Sequence, residues 1–250
     1  MADTNRPLTN KVALVTGGSR GIGGAICKRL AEGGAHVILT YASSTDQAKM
    51  IEEACRSHQV KAEARQVDAG DIAASKRLVA SVGERHGPIN ILVNNAAILT
   101  VADLPNVTEE AFEQNIAVNL RGLFFLTQAV VEHMPEGGRI VNIGSIFGET
   151  APTAGLDLYS MSKFAMAGLT RAWSRDLAPQ GITVNCIQPG PVNTDMNPDD
   201  GPLAGFLTPR TAINRYGRVE EVAEMVAYLV GPNTDNVTGV TLNNDGGSTA

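Results

Sequence analysis

Tyr159 and Lys163 stand four residues apart in a stretch of helical spacing that runs on through Phe164, Leu169 and Trp173, so one helix face brings a phenol and an ammonium together. A tyrosine of ordinary pKa, ~10, donates a proton at neutral pH and rarely accepts one. A cation beside it, together with the positive charge of an oxidised hydride carrier, stabilises the phenolate and opens proton traffic in both directions. Such a pair suits a reaction in which a carbonyl oxygen gains a proton as its carbon takes a hydride, or a hydroxyl loses one in the reverse. Ser145, read as the end of a strand in Asn142-Ile143-Gly144-Ser145, adds a hydroxyl able to hold the substrate oxygen and steady charge that develops there. Each residue also has an ordinary reading: Tyr159 as a core-edge tyrosine, Lys163 as an exposed helix charge, Ser145 as a strand-end cap.

A second group of residues points to phosphate. Thr16-Gly17-Gly18-Ser19-Arg20-Gly21-Ile22-Gly23 follows an apolar run and opens a helix whose apolar positions include Ile22, Ala25, Ile26 and Leu30. Glycines let a backbone approach a pyrophosphate closely, and a helix N-terminus offers free N–H groups and a favourable dipole. The spacing, Gly17-xxx-Gly21-x-Gly23, departs from the GxGxxG dinucleotide fingerprint. A glycine turn that merely seats a helix close to a strand remains the alternative.

These residues need elements to hold them. Short β-rich runs recur at Val12–Thr16, His36–Tyr41, Ala62–Val67, Asn90–Val93, Arg139–Ile143, Ile182–Ile187 and Val240–Asn243, several of them nearly all apolar as strands buried on both faces should be. Helical spacing lies between them, as in Val222, Met225, Val226 and Leu229. Strand alternating with helix predicts an α/β fold, a parallel sheet with helices on both faces, read as one domain over residues 1–250. Two pieces look irregular, Ala97–Thr108 and Pro189 to about Pro209. Both follow strands, where ligands of an open α/β sheet bind.

The loop TGGSRGIG resembles the TGxxxGxG loop of the short-chain dehydrogenase/reductase family, in which the altered glycine spacing is the rule. Asn94-Asn95-Ala96-Ala97 is similar to that family's NNAG segment, with Ala97 in place of the usual Gly. Tyr159-Ser-Met-Ser-Lys163 matches its YxxxK, and Pro189-Gly190 its PG turn. The resemblance covers essentially the whole chain in the expected order. It implies a Rossmann-type doubly wound fold with seven parallel strands, and kinship with reductases of ketones and 3-oxoacyl thioesters. Asn119, Ser145, Tyr159 and Lys163 would be catalytic, with Asn119 in a water-mediated proton relay through Lys163, and Lys163 also on the nicotinamide ribose. The dinucleotide would touch Gly17, Ser19, Arg20, Gly21, Ile22 and Gly23 in the first loop. Tyr41, Ala42 and Ser43 would follow at the second strand, then Asp68 and Ala69, with Asp68 accepting from the adenine amino group. Asn94, Asn95, Ala96 and Ala97 would lie along it, and Pro189, Gly190, Val192 and Thr194 after the sixth strand. Asp68 has a plain alternative as a turn residue, and Asn94 as a tie at a strand end. Ser145, Phe147, Thr153, Leu156 and Tyr159 would line the substrate pocket. A region of about 190–215 would form a mobile substrate loop. Helices near Glu109–His133 and Asp157–Ala178 would build the interfaces of a homotetramer.

Charge decides between the nicotinamide cofactors. An NAD-selective site tends to place an acid near the end of the second strand, on the ribose 2′-hydroxyl. Here Thr40-Tyr41-Ala42-Ser43-Ser44 has none before Asp46, so a 2′-phosphate meets no repulsion, and Arg20 is a suitable partner for it unless it is simply a solvated loop residue. The expected cofactor is NADP(H), and the expected partner a small carbonyl compound or alcohol. A nucleotide-binding regulator on the same scaffold is the rival, because some relatives with a segment similar to Thr194-Asp195-Met196-Asn197-Pro198 look like nucleotide-signal binders. The matched Ser145, Tyr159 and Lys163 argue against it.

The net charge of -6 disfavours nucleic acid and anionic membrane as partners. Cys27, Cys55 and Cys186 are too far apart in sequence for a zinc motif and odd in number, which fits a reducing compartment. His36, His58, His86 and His133 show no ligand spacing, so no metal is expected. The opening MADTNRPLTNK has no apolar core of a secretion leader, and no run is long enough to span a bilayer. A cytoplasmic protein is expected.

Overall fold

Along β1 (Val12–Val15), Ala13 and Val15 join one buried cluster while Val12 and Leu14 join another. The same split recurs in β2 (His36–Tyr41), β4 (Ile91–Asn94) and β5 (Arg139–Ile143), where Ile38, Leu92 and Ile140 oppose Leu39, Val93 and Val141. Successive strand side chains point to opposite faces, so these nearly continuous apolar runs demand cover on both sides. In the computed structural model, which describes residues 6–250, helices supply it. One cluster is completed by α1 (Gly21–Glu32), α2 (Thr45–Arg56) and α8 (Val219–Leu229), the other by α3 (Ile72–His86), α5 (Leu123–Val131) and α6 (Asp157–Leu177). Of the opening segment, residues 1–5 lie outside the described residues.

The seven strands are all parallel, in the order β3-β2-β1-β4-β5-β6-β7, with β3 at Ala62–Gln66, β6 at Thr183–Pro189 and β7 at Thr241–Asn244. This is the doubly wound sheet that the alternation predicts. Strand order reverses between β1 and β4, and ligands of such sheets bind in the crevice that this reversal opens at the carboxyl ends.

β2 and β5 keep the expected limits, and the other five strands differ from them by one or two residues. Thr16 lies just beyond β1, where its N–H still bonds Val93 O at 3.0 Å and its hydroxyl takes the backbone N–H groups of Asn95 and Ala96, at 2.9 and 3.0 Å. The helix expected over Glu109–His133 is three pieces: α4 (Glu109–Ile116), a π-helical segment Ala117–Gly122, and α5. The irregular stretch after β6 holds two short turns of helix, α7 (Ala204–Leu207) and a 3₁₀ turn Thr208–Arg210.

Inside the sheet, polar side chains tie strands to helices. Asn94 Nδ2 donates to Asn142 Oδ1 at 2.9 Å and to Thr127 Oγ1 at 3.0 Å, and Asn142 Nδ2 donates to Thr170 Oγ1 at 2.9 Å. All four side chains are buried. Hydrogen bonds in so dry a place are costly to leave unmade, so they fix α5 and α6 relative to the ends of β4 and β5.

Candidate active site

Tyr159 occupies the first turn of α6 and Lys163 the second, on one face as their spacing requires. Lys163 is only 2% exposed, and its Nζ donates to the Ile143 carbonyl oxygen at the end of β5, 2.7 Å away. The same Nζ stands 5.4 Å from the centre of the Tyr159 ring. Burial pulls the Lys163 pKa down to about 8. Burial also pushes the Tyr159 phenol above its usual value of 10.0, and the Ser145 hydroxyl only partly offsets this. The acidified phenol expected from the sequence is therefore not the state of the chain by itself. One N–H of the ammonium goes to a backbone carbonyl, and loss of hydration sets the direction of the Tyr159 shift.

Ser145 lies two residues past β5 rather than within it. Its backbone is extended (φ -170°), and its Oγ accepts from the Phe147 N–H at 3.2 Å, opening a 3₁₀ turn Ile146–Gly148. That turn sets the Phe147 ring edge-on to Tyr159, 6.1 Å between centres. Ser145, Phe147, Tyr159 and Lys163 are thus brought together. Leu156 sits at the head of α6, where its segment pairs with Ala102 in an isolated parallel bridge. Thr153 makes only a long local contact, its Oγ1 3.5 Å from Ala154 O, in the loop between Phe147 and Tyr159.

Asn119 sits in the π-helical segment and is almost fully buried. Its amide holds both backbone groups of Ile98, accepting from N and donating to O at 2.9 Å each, and it also reaches Ser162 Oγ at 3.3 Å. Ser162 in turn donates to the Tyr159 carbonyl at 2.7 Å. Asn119 meets these groups rather than Lys163, so the direct observation is of a clamp on the loop after β4. π-helical widening recurs at functional sites because it re-aims a side chain without ending the helix.

Around the glycine loop, Asn95 Nδ2 donates to the carbonyls of Thr16 and Gly17 at 2.9 and 3.0 Å, fixing the loop against the end of β4. A Cβ at Gly23 would lie 2.2 Å from Gly17 O, so only glycine lets α1 begin this close to the loop. Gly21 has φ +53°, and a Cβ there would project into the crevice toward Thr194, whose methyl is 3.5 Å away. Space facing the start of a 12-residue helix, walled by Thr194, is a cradle that fits a pyrophosphate. Ser19 is buried, Ile22 half-buried, and Arg20 exposed but paired with Asp195 at 3.2 Å. Tyr41, Ala42 and Ser43 close β2 without an acid, and Gln66 donates to Ala42 O. Asp68 accepts from Gly70 N at 2.8 Å, the turn role, and Ala69 follows it. Ala96 and Ala97 are half-buried, and Ala97 keeps a negative φ, so its departure from Gly leaves the turn unstrained. Asn94 is the strand-end tie described above. Pro189 ends β6, Gly190 N donates to Asn244 O at 3.1 Å, and Val192 is buried in a bridge with Gly217.

A family model, short chain dehydrogenase, matches residues 11–202. The chain belongs to the short-chain dehydrogenase family. Among curated members, the cyclic-di-GMP-binding biofilm dispersal mediator protein of Escherichia coli (strain K12) is 39% identical, over 95% of this chain and 97% of its own. Among solved structures of the family, the short-chain dehydrogenase/reductase from Serratia marcescens BCRC 10948 is 46% identical with TM-score 0.95, over 98% of this chain and all of its own. One from Burkholderia cenocepacia J2315, in complex with NADP, is 43% identical with TM-score 0.96 over the same shares.

Sequence reasoning passed over Ser162 and the pairing of Asp195 with Arg20. Ser162 carried a signal, three residues after Tyr159 and beside Lys163. Asp195 carried none, because its partner Arg20 is 175 residues away. Among the described residues no cluster suited to a metal ion occurs and no helix is long and apolar enough to cross a membrane. All three cysteines are free and buried, and burial raises their thiol pKa values.

The lowered pKa of Lys163 has a stability consequence. Folding disfavours its charged form, a cost of about 3 kcal/mol below pH 8 that fades as pH rises from 8 toward 10.5. Lys163→Met should therefore unfold at a higher temperature than wild type at pH 7, by an increment worth roughly 1–3 kcal/mol after loss of the Ile143 hydrogen bond, with the gap closing toward pH 10.5. Thermal melts at several pH values check it; a variant that melts well below wild type at pH 7 contradicts it.

Proposed function

We propose that this chain is an NADP(H)-dependent oxidoreductase that moves a hydride between nicotinamide and a ketone or secondary alcohol, with Tyr159 exchanging the proton. The observation that carries the reading is the buried Lys163 ammonium 5.4 Å from the Tyr159 ring, with the Ser145 hydroxyl on the same phenol. A packing tyrosine needs no buried cation beside it, and a buried unpaired charge is kept only where it serves something.

Bound cofactor supplies the hydride and, when oxidised, a positive charge near the phenol. Ser145 donates to the substrate oxygen and offsets charge gathering there as the carbon is reduced. Tyr159, held as a neutral phenol by burial, releases its proton to that oxygen. Lys163 stabilises the phenolate left behind. In the oxidative direction the phenolate must form first, which burial opposes and the positive charges of Lys163 and the oxidised cofactor would assist.

For the cofactor, the Gly21 cradle, the acid-free end of β2 and Arg20 support NADP(H), as does the NADP-bound relative of Burkholderia cenocepacia. Arg20 would exchange Asp195 for the 2′-phosphate. An exposed ion pair of this kind is worth about 0–1 kcal/mol, so the exchange is cheap. The apolar side chains Phe112, Phe124, Met161 and Phe164, exposed on α4, α5 and α6, support the expected homotetramer. We read residues 1–250 as one catalytic unit, its segment 190–215 serving as substrate loop, at work in the cytoplasm.

The Escherichia coli relative, named for cyclic-di-GMP binding, favours a second reading as a nucleotide-binding regulator. The two separate on turnover. Tyr159→Phe should bind NADPH as wild type does while kcat for a ketone falls by roughly 10²–10⁴. Full turnover in that variant removes the assignment. No NADPH oxidation by wild type on any ketone, with tight binding of cyclic-di-GMP, favours the regulator. Arg20→Ala should raise KM for NADPH about tenfold or more, since a hydrogen bond to a charged group is worth about 1.5–3 kcal/mol, and leave KM for NADH nearly unchanged. Equal effects on both cofactors exclude the 2′-phosphate role.

A further inference from the structure

Three loops leave the carboxyl ends of β4, β5 and β6, the end of the sheet at which Tyr159 and the glycine loop lie, and their side chains combine two properties. The first is exposed apolar surface. Val101 and Leu104 on the β4 loop are at least 70% exposed, and Met196, Leu203 and Ile213 on the β6 loop are about half exposed. The β4 loop is held in place rather than free, through the Asn119 clamp on Ile98 and the Ala102–Leu156 bridge. The second property is charge of one sign. Residues 97–108, 146–158 and 190–215 carry six carboxylates, Asp103, Glu149, Asp157, Asp195, Asp199 and Asp200, all exposed, and no lysine.

Two arginines, Arg210 and Arg215, share those loops, and both are engaged. Arg215 forms a two-pronged pair with Glu221, at 2.7 and 3.0 Å. Arg210 lies flat over the Phe206 ring, 3.5 Å from its centre, and donates to Phe206 O. Asp103, Asp157, Asp199 and Asp200 form no ion pair among the described residues, and Asp195 would lose its own if Arg20 turned to a cofactor phosphate. With a net charge of -6 behind it, the entrance repels anions.

Ketone substrates of reductases arrive either free or as thioesters of coenzyme A or a carrier protein, and both carriers bring phosphate, the protein often further acid. A site for them needs cations at its rim, and here the rim offers carboxylates. We propose that this site takes a free, uncharged, apolar ketone and discriminates against the same group carried on a phosphorylated thioester. This rests on the oxidoreductase reading above and narrows its substrate class. The apolar loop residues cover the substrate by the hydrophobic effect, while the carboxylates act at longer range on whatever it is attached to.

The test compares one 3-oxoacyl group in two forms, the neutral N-acetylcysteamine thioester and the coenzyme A thioester, with NADPH consumption followed at low and high salt. The expected result is a kcat/KM for the neutral form higher by roughly tenfold or more at low salt, with the gap shrinking as salt screens the rim. The double variant Asp199→Lys, Asp200→Lys should shrink that ratio at low salt. Equal efficiency, or a preference for the coenzyme A form at low salt, overturns the proposal and leaves the oxidoreductase reading standing. No consumption of either form or of any free ketone, with NADPH bound, overturns the oxidoreductase reading and this proposal with it.

Discussion

Lys163 carries an ammonium into a place that water barely reaches, and one backbone carbonyl, Ile143 O at 2.7 Å, receives it. Much of the surrounding architecture can be understood from that contact. β5 stops at Ile143, and the chain enters the 3₁₀ turn Ile146–Gly148 just beyond it. The lysine arrives there because α6 is fixed over the strand ends by Thr170, which receives Asn142, which receives Asn94. The phenol is then held one helical turn from a cation by a chain of buried hydrogen bonds that starts in the middle of the sheet. Each bond is modest by itself, but leaving one unmade in that interior would cost about 1–3 kcal/mol.

The nucleotide side of the crevice is built by different means. There the backbone does the work: Asn95 locks the loop, Gly23 permits close packing of α1, and Gly21 takes a positive φ opposite Thr194. The proton-transfer side is built from packed side chains, and its electrostatics come from burial. Cofactor and substrate halves meet where β1 and β4 part, the reversal point of the sheet.

Much of this was legible in the sequence because its signals are local. Seven β-rich runs showed as apolar clusters bounded by turn residues, and all seven are strands in one parallel sheet. Tyr159 and Lys163 share a face because four residues make about one helical turn. What was not legible depends on distance in three dimensions. The break in the helix over Glu109–His133 follows from Asn119 gripping Ile98, a contact across 21 residues with no periodic trace. The partner of Arg20 and the burial of Lys163 likewise arise only when remote segments meet. For the same reason the loss of solvent that raises the Tyr159 pKa in the chain without cofactor has no trace in the sequence, which showed only the neighbouring cation.

The central claim is that Tyr159 is kept a neutral phenol by burial until a positive charge joins Lys163 beside it. Tyrosinate absorbance titrated in wild type and in the Tyr159→Phe variant isolates this one phenol by difference. The account predicts that Tyr159 in the cofactor-free chain ionises at higher pH than an ordinary tyrosine, with a downward shift when NADP⁺ is added. Ionisation near neutrality without cofactor, or an unchanged curve with NADP⁺ bound, would contradict it.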